Sequence, residues 1–169
     1  WAGGYPALLQ DVLGLKVEEW QPLLPDQEVQ FLAAAGAAST GQHWVDLLHP
    51  LAAEVLARYC GGFIDGRAAI THNAFGSGHA YYVGTRPDAA SLRELLGRVC
   101  AEQSVYPLVV APQGVEASLR ADASHQYLFV INHTDEQQSI SLRGRSGVDQ
   151  ISAANVPHQF SLEPFGVRV

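Results

Sequence analysis

Methionine is absent from this sequence, lysine occurs once, at Lys16, and cysteine twice, at Cys60 and Cys100. Each shortage excludes something. Ten Lys and Arg stand against seventeen Asp and Glu, for a formal net charge of −7. The arginines are scattered, so no basic patch offers itself to nucleic-acid phosphates or to an anionic membrane. Two cysteines do not make a disulfide scaffold, and they are read as reduced, partly buried thiols. No apolar run reaches the roughly 18 residues that a membrane-crossing helix needs. The opening Trp1-Ala-Gly-Gly-Tyr5 has neither the charged nor the apolar stretch of a secretory leader. A chain that opens on Trp1 is expected to be an interior piece of a longer, cytoplasmic protein.

What is present is a globular composition: 47% hydrophobic and only 16% charged residues, over a length of 169 that suits one good domain or two small ones. Pro6 followed by Leu8, Leu9, Val12 and Leu13 at helical spacing predicts a first helix, closed by Gly14. Residues 15–20 alternate as a short strand, with Leu15, Val17 and Glu19 on one face and Lys16, Glu18 and Trp20 on the other; Pro22 and Pro25 end it. The alanine-rich stretch 31–43 permits a helix, Trp44 to Leu48 reads as extended, and Glu54 to Tyr59 fits strand or helix equally. Residues 68–74 and 79–84 predict a hairpin joined through Phe75-Gly-Ser-Gly78. Asp88 then caps a helix whose stripe is Leu92, Leu95, Leu96, Val99 and Cys100. Beyond Val105 the periodicity changes. Residues 115–120, 126–131, 139–143, 159–162 and 166–169 predict five short strands of a small antiparallel β-sandwich.

Several residue groups invite chemistry, and each has a plainer reading. The histidines His43, His49, His72, His79, His125, His133 and His158 form no closely spaced ligand set of the kind structural zinc takes. His72 and His79 can face each other across the hairpin, yet two ligands make a poor site. Gly76-Ser-Gly78 precedes a strand, whereas a phosphate loop precedes a helix N-terminus. Cys60-Gly61-Gly62 lacks a visible base for a cysteine nucleophile. Glu18-Glu19 and Asp135-Glu136 read as solvated carboxylates, because neighbours on a strand point to opposite faces. Trp20, Trp44, Tyr81, Tyr82 and Phe165 are candidates for a sugar platform, with core or interface as the commoner role of such rings. Tyr106, Tyr127, Phe129, Phe160 and Phe165 are expected to be buried by alternation. Asn132-His133-Thr134 matches a glycosylation acceptor but reads as a strand end and a turn.

Five segments, in order, carry a resemblance. They are Gly4-Tyr-Pro-Ala-Leu-Leu-Gln-Asp-Val-Leu-Gly-Leu-Lys-Val-Glu-Glu-Trp20; Trp44-Val-Asp-Leu-Leu48 with Ala53-Glu-Val-Leu-Ala-Arg-Tyr59; Gly66 to Thr85, including Thr71-His-Asn-Ala-Phe-Gly-Ser-Gly-His79; Gly114-Val-Glu-Ala117 with Tyr127-Leu-Phe-Val-Ile-Asn-His-Thr134; and Leu162-Glu-Pro-Phe-Gly-Val167. Together they resemble the C-terminal region of glycoside hydrolase family 42 β-galactosidases. The resemblance implies that residues 1–105 are the later part of an amidotransferase-like, flavodoxin-like α/β middle domain associated with trimer assembly. Residues 106–169 would be a small C-terminal β-sandwich. The two catalytic glutamates and the zinc-binding cysteines of the family belong to its (β/α) barrel, and none of those motifs is present here. No catalytic, cofactor-binding or metal residue is therefore carried over, and no cofactor is expected. The expected function is the non-catalytic C-terminal portion of a β-galactosidase. Its partners would be its own catalytic barrel and further copies in a homo-oligomer, a trimer in the parent, without nucleic acid or membrane. The alternative is a carbohydrate-binding module.

Overall fold

The structure is a computed structural model and describes residues 5–33, 36 and 38–169. It divides into two compact units, residues 1–99 and 100–169.

In the first unit the chain opens with a 3₁₀ turn, Ala7–Leu9, that runs into a single α-helical turn, α1 (Gln10–Leu13). Gly14 ends α1 in the left-handed region at φ 63°. Its carbonyl accepts from the amides of Leu51, Ala52 and Ala53 at 2.8, 2.9 and 3.0 Å. A Cβ here would lie 2.7 Å from the Asn73 side chain and 2.9 Å from Ala53 N, so both the backbone angle and the space demand glycine. The helical spacing of the leucines does not translate into burial, because Leu8 and Leu9 are exposed and only Leu13 packs on apolar neighbours. One turn is too short to present a stripe.

Eight strands follow: β1 (Leu15–Pro22), β2 (Val29–Ala33), β3 (Ala38–Gln42), β4 (Trp44–Pro50), β5 (Glu54–Cys60), β6 (Ala68–Phe75), β7 (Gly78–Val83) and β8 (Arg86–Pro87). They form one sheet in the order β1-β4-β6-β5-β2-β3-β8, with β7 hairpinned onto β6. Every pairing among the described residues of this unit is antiparallel. The α/β layering expected over residues 1–105 is thus replaced, in the part described, by a curled antiparallel sheet with few helices. The helix permitted over 31–43 is replaced by β2 and β3; Ala34, Ala35 and Ala37 lie outside the described residues. Pairing on both sides decides it: Phe31 lies opposite Tyr59 on β5 and Ser39 on β3, and both rings are buried. Glu54 to Tyr59, open between two readings, is a strand for the same reason.

Two apolar clusters hold the sheet. Phe31, Val45, Ala57, Tyr59, Ile64, Ala69 and Ile70 form one; Leu15, Val17, Leu48 and Ala68 form the other. The long helix α2 (Ala89–Glu102) starts where Asp88 was expected to cap it. The Asp88 carboxylate accepts from Ser91 N at 2.9 Å and Ser91 Oγ at 2.7 Å, and also from Thr40 N at 3.0 Å, which ties the helix start to β3. Of its apolar stripe only Leu95 joins the main cluster, while Leu92 and Leu96 are exposed.

The second unit carries β9 (Val115–Ala121), β10 (Gln126–Asn132), β11 (Gln138–Ser141), β12 (Gly147–Val148), β13 (Asn155–Val156), β14 (Gln159–Leu162) and β15 (Val167–Arg168). Three small sheets result, β15-β10-β9, β11-β14 and β12-β13, all antiparallel. All five strands expected from alternation are present. The β12-β13 pair, two residues a side, is too short for any periodicity to announce. Val109, Val130, Ile140, Leu142 and Leu162 make the core.

Candidate functional site

The sequence left open whether its aromatic residues meet anywhere, and four of them do. Trp20 on β1, Trp44 on β4 and Tyr82 on β7 line one cleft of about 850 Å³, together with Tyr5, Val17, Glu18, Glu19, His43, Asp46 and Val83. A register shift builds it. Val17 pairs with Leu48, but Glu19 pairs with Leu47 and Trp20 with Asp46, so Glu18 is an extra residue bulged out of β1. Asp46 and Leu48 share a face of β4, and their partners Trp20 and Val17 therefore share the matching face of β1. Strict alternation would have put Trp20 on the opposite face. Glu18, the bulged residue, and Glu19 also belong to the cleft lining, although Glu19, opposite Leu47, directs its side chain to the other face of β1. The Glu18 carboxylate is met by His49 Nδ1 at 3.3 Å and Arg67 Nη1 at 3.5 Å.

Asp46 is the electrostatic centre of this wall. It is 7% exposed, and its Oδ2 accepts from the Tyr82 hydroxyl at 2.9 Å. Burial pushes its carboxyl above the usual carboxylate range, and hydrogen bonds from Tyr82 and Trp44 oppose that shift. Burial, followed by the neighbouring Asp46 carboxylate, raises the Tyr82 phenol far above its ordinary value. Tyr59 behaves alike, its buried hydroxyl donating to Gly84 O at 2.8 Å. His43 sits at the mouth with a left-handed backbone, φ 71°, and its ring meets the Arg86 guanidinium in a short contact. Trp20 is 64% exposed, an unusual state for so large a ring.

A second concavity, about 680 Å³, belongs wholly to the second unit. Leu119, Leu128, Val130, Leu142 and Phe160 are apolar residues of its lining, and Arg145, Asp149 and Arg168 are charged ones. Asp149 is a structural hub. It accepts from Val169 N at 3.2 Å, Arg168 Nη1 at 3.1 Å and Ser152 N at 3.2 Å, with a short contact from Ser152 Oγ. The Ser152 side chain above all, then these amides, hold its carboxyl well below the usual range.

The remaining candidates resolve one by one. His72 Nε2 and His79 Nδ1 do face each other across the hairpin, 2.9 Å apart, with Glu54 Oε2 3.7 Å from His72 Nδ1. No group of three or more His, Cys, Asp or Glu is arranged to hold a metal among the described residues. Gly76 and Ser77 are the hairpin turn. Cys60 is a half-buried free thiol, its Sγ 3.7 Å from Arg58 O, and Cys100 is exposed rather than partly buried. Asn132 ends β10, as read, but with a role the triplet did not suggest. It is 1% exposed, its Nδ2 donates to Glu136 O at 2.7 Å and Glu163 O at 2.8 Å, and its Oδ1 accepts from Thr134 N at 2.9 Å and Thr134 Oγ1 at 2.7 Å. Such a side chain has no free amide for a glycan. The aromatic residues expected to be buried in the second unit divide: Tyr127, Phe129 and Phe160 are half-buried, whereas Tyr106 and Phe165 are exposed. Tyr106 lies in a connection under the Arg143 guanidinium and Phe165 in a turn, so alternation along a strand never governed them.

A curled antiparallel sheet with an aromatic cleft, followed by a small β unit stapled by buried polar side chains, defines a β-rich accessory module. Comparison with known proteins makes this particular. Residues 1–106 match the family model described as the β-galactosidase trimerisation domain, and residues 114–169 match the β-galactosidase C-terminal domain. The chain belongs to the glycoside hydrolase family 42 β-galactosidases. It is 35% identical over 170 residues to β-galactosidase BgaP of Planococcus sp. (strain L4), covering 98% of this chain and 25% of that protein. It is 37% identical over 142 residues to β-galactosidase LacZ of Heyndrickxia coagulans, covering 84% of this chain and 21% of that protein. The crystal structure of the β-galactosidase from Bacillus circulans sp. alkalophilus superposes with a TM-score of 0.93 at 33% identity, over 98% of this chain and 25% of that one. The chain thus spans about a quarter of the length of these relatives, and corresponds to their C-terminal portion.

Proposed function

We propose that this chain serves subunit assembly and structural support in a β-galactosidase, and takes no part in bond cleavage itself. The parent would hydrolyse terminal β-D-galactosides with retention, through two carboxylates about 5–5.5 Å apart in a catalytic barrel outside this sequence. The carrying observation is that trimerisation and C-terminal domain families between them account for nearly all of its residues. Its partners are then that barrel and two further copies, in a cytoplasmic trimer. Residues 1–105 act as the assembly domain and 106–169 as the β-sandwich. The antiparallel sheet of the first is the closing part of a larger amidotransferase-like α/β domain. No residue here is assigned a catalytic, cofactor or metal role.

The test is hydrolysis of a chromogenic β-galactoside by the purified 169-residue chain beside a barrel-containing homologue. The expected result is turnover by the homologue alone. Turnover that stays with the chain through purification would overturn the reading. The assembly half is tested separately, by deleting residues 1–169 from the intact parent. Sedimentation should then show loss of the trimer, and a trimer that persists would remove the assembly role.

A further inference from the structure

We infer that the cleft between β1, β4 and β7 binds a neutral sugar of one or two rings. This goes beyond the assembly role and does not depend on it. The lining carries the argument. Sugars present apolar C–H faces and a rim of hydroxyls, so their sites pair aromatic faces with fixed hydrogen-bond acceptors. Here Trp20, Trp44, Tyr5 and Tyr82 supply the rings, and Asp46 supplies a fixed acceptor in the same hollow. The volume, about 850 Å³, falls in the range of ordinary small-molecule sites, about 300–1,000 Å³.

The acceptor is preorganised. Asp46 is buried and held by the Tyr82 hydroxyl at 2.9 Å, so neither group has to be ordered when a ligand arrives. The β1 bulge serves this arrangement specifically, because without it Trp20 would stand on the far face. Trp20 is left 64% exposed over the hollow, an anchor ring of the sort that dominates recognition energies.

Charge narrows the ligand. Neither lysine nor arginine lines the cleft, while three carboxylates do, which rejects phosphates and other anions. A cationic amine over the rings is the competing chemistry. Against it, the Glu18 charge is met by Arg67 and His49, and the Arg86 guanidinium lies against His43 at the mouth. A neutral, hydroxyl-rich ring suits what remains.

The experiment titrates the 169-residue chain with methyl β-D-galactopyranoside and with lactose, read by tryptophan fluorescence and by saturation-transfer NMR on the sugar. The expected result is a saturable response that Trp20→Ala weakens at least about tenfold. Tyr82→Phe should weaken it less, and Phe165→Ala in the second unit should leave it unchanged. Trp20 is exposed, so Trp20→Ala should keep the parent melting temperature, which separates lost binding from lost folding. The inference is overturned by no saturable response to either sugar, by a response unchanged by Trp20→Ala, or by saturation by choline without saturation by sugar. A fluorescence change that follows protein concentration and ignores sugar would assign Trp20 to a protein contact and would also overturn it. Absence of galactoside turnover, the test of the assembly reading, leaves all of these outcomes open.

Discussion

The two units solve one problem by different means. The first buries a continuous eight-stranded sheet under two apolar clusters, with Phe31, Tyr59, Leu15 and Leu48 almost fully enclosed. The second has only two- and three-stranded pieces and five core aliphatic residues. Small sheets leave many strand ends and turns with unpaired backbone groups. The second unit answers with buried polar hubs. Asn132 ties the end of β10 to the 134–136 turn and to Glu163, and Asp149 gathers residues 151–152 and the chain's last residues. A sheet large enough to satisfy its own backbone leans on area, whereas a small one leans on particular side chains.

Mutations can break this contrast. The largest effect belongs to the apolar side. Phe31→Ala should cost about 3–5 kcal/mol, because the cavity lies at the centre of the main cluster. Urea unfolding followed by unit-resolved hydrogen exchange should show the loss in the first unit only. Equal loss in both would mean that the two cores are not independent.

Next comes the polar hub. Asn132→Ala leaves Thr134 N without its acceptor and takes the amide donor from Glu136 O and Glu163 O, which keep only Thr134 Oγ1 and Gly166 N, and should cost about 1–3 kcal/mol in the second unit. A cost near that of a surface substitution would refute the hub.

Acid should separate the units by sign. The Asp149 carboxyl is held below its ordinary 3.8, so its stabilisation is present above that value and is lost as pH falls through its folded pKa. Asp46 is raised, so its contribution runs the other way: burial of the ionised carboxylate costs stability as pH rises from 3.8 through the raised value. Asp88, lowered to about 2, shares the Asp149 sign and partly offsets Asp46 within the first unit. Hydrogen exchange between pH 5 and pH 2 should therefore show the second unit loosening more steeply. Asp149→Asn should flatten its slope, and Asp46→Asn should leave the first unit more acid-sensitive. An unchanged slope in Asp149→Asn would remove the electrostatic account.

The smallest effect sharpens the comparison from the other direction. Thr71 Oγ1 is buried in the first unit without a hydrogen-bond partner among the described residues. Thr71→Val should be neutral or stabilising by up to about 1 kcal/mol in thermal melts, since it removes an unsatisfied polar atom at nearly constant volume. A clear destabilisation would mean that the hydroxyl is satisfied after all.

Much of the second unit was legible in the sequence. Its strands alternate cleanly, and Gln126 to Asn132 pairs with Val115 to Ala121 without a break, so a period of two survives into the structure. The hairpin at Gly76 and the Asp88 cap were equally plain, because turn and cap chemistry act over three or four residues. The resemblance carried the family, and it also carried an α/β expectation that the antiparallel pairing of the described residues does not bear out.

The sequence by itself determined the five alternating strands of the second unit, the hairpin at Gly76 and the start of α2, that the chain is acidic and globular, and which family it belongs to, because these depend on local periodicity and on residue order. Only the tertiary structure decided what faces what. The bulge at Glu18 that turns Trp20 toward Asp46, the meeting of three aromatic residues from β1, β4 and β7, and the enclosure of Asn132 all follow from pairing partners more than twenty residues away. Local propensity is blind to such partners. One bulged residue changes the face of everything beyond it, and no period of two can reveal which residue that will be.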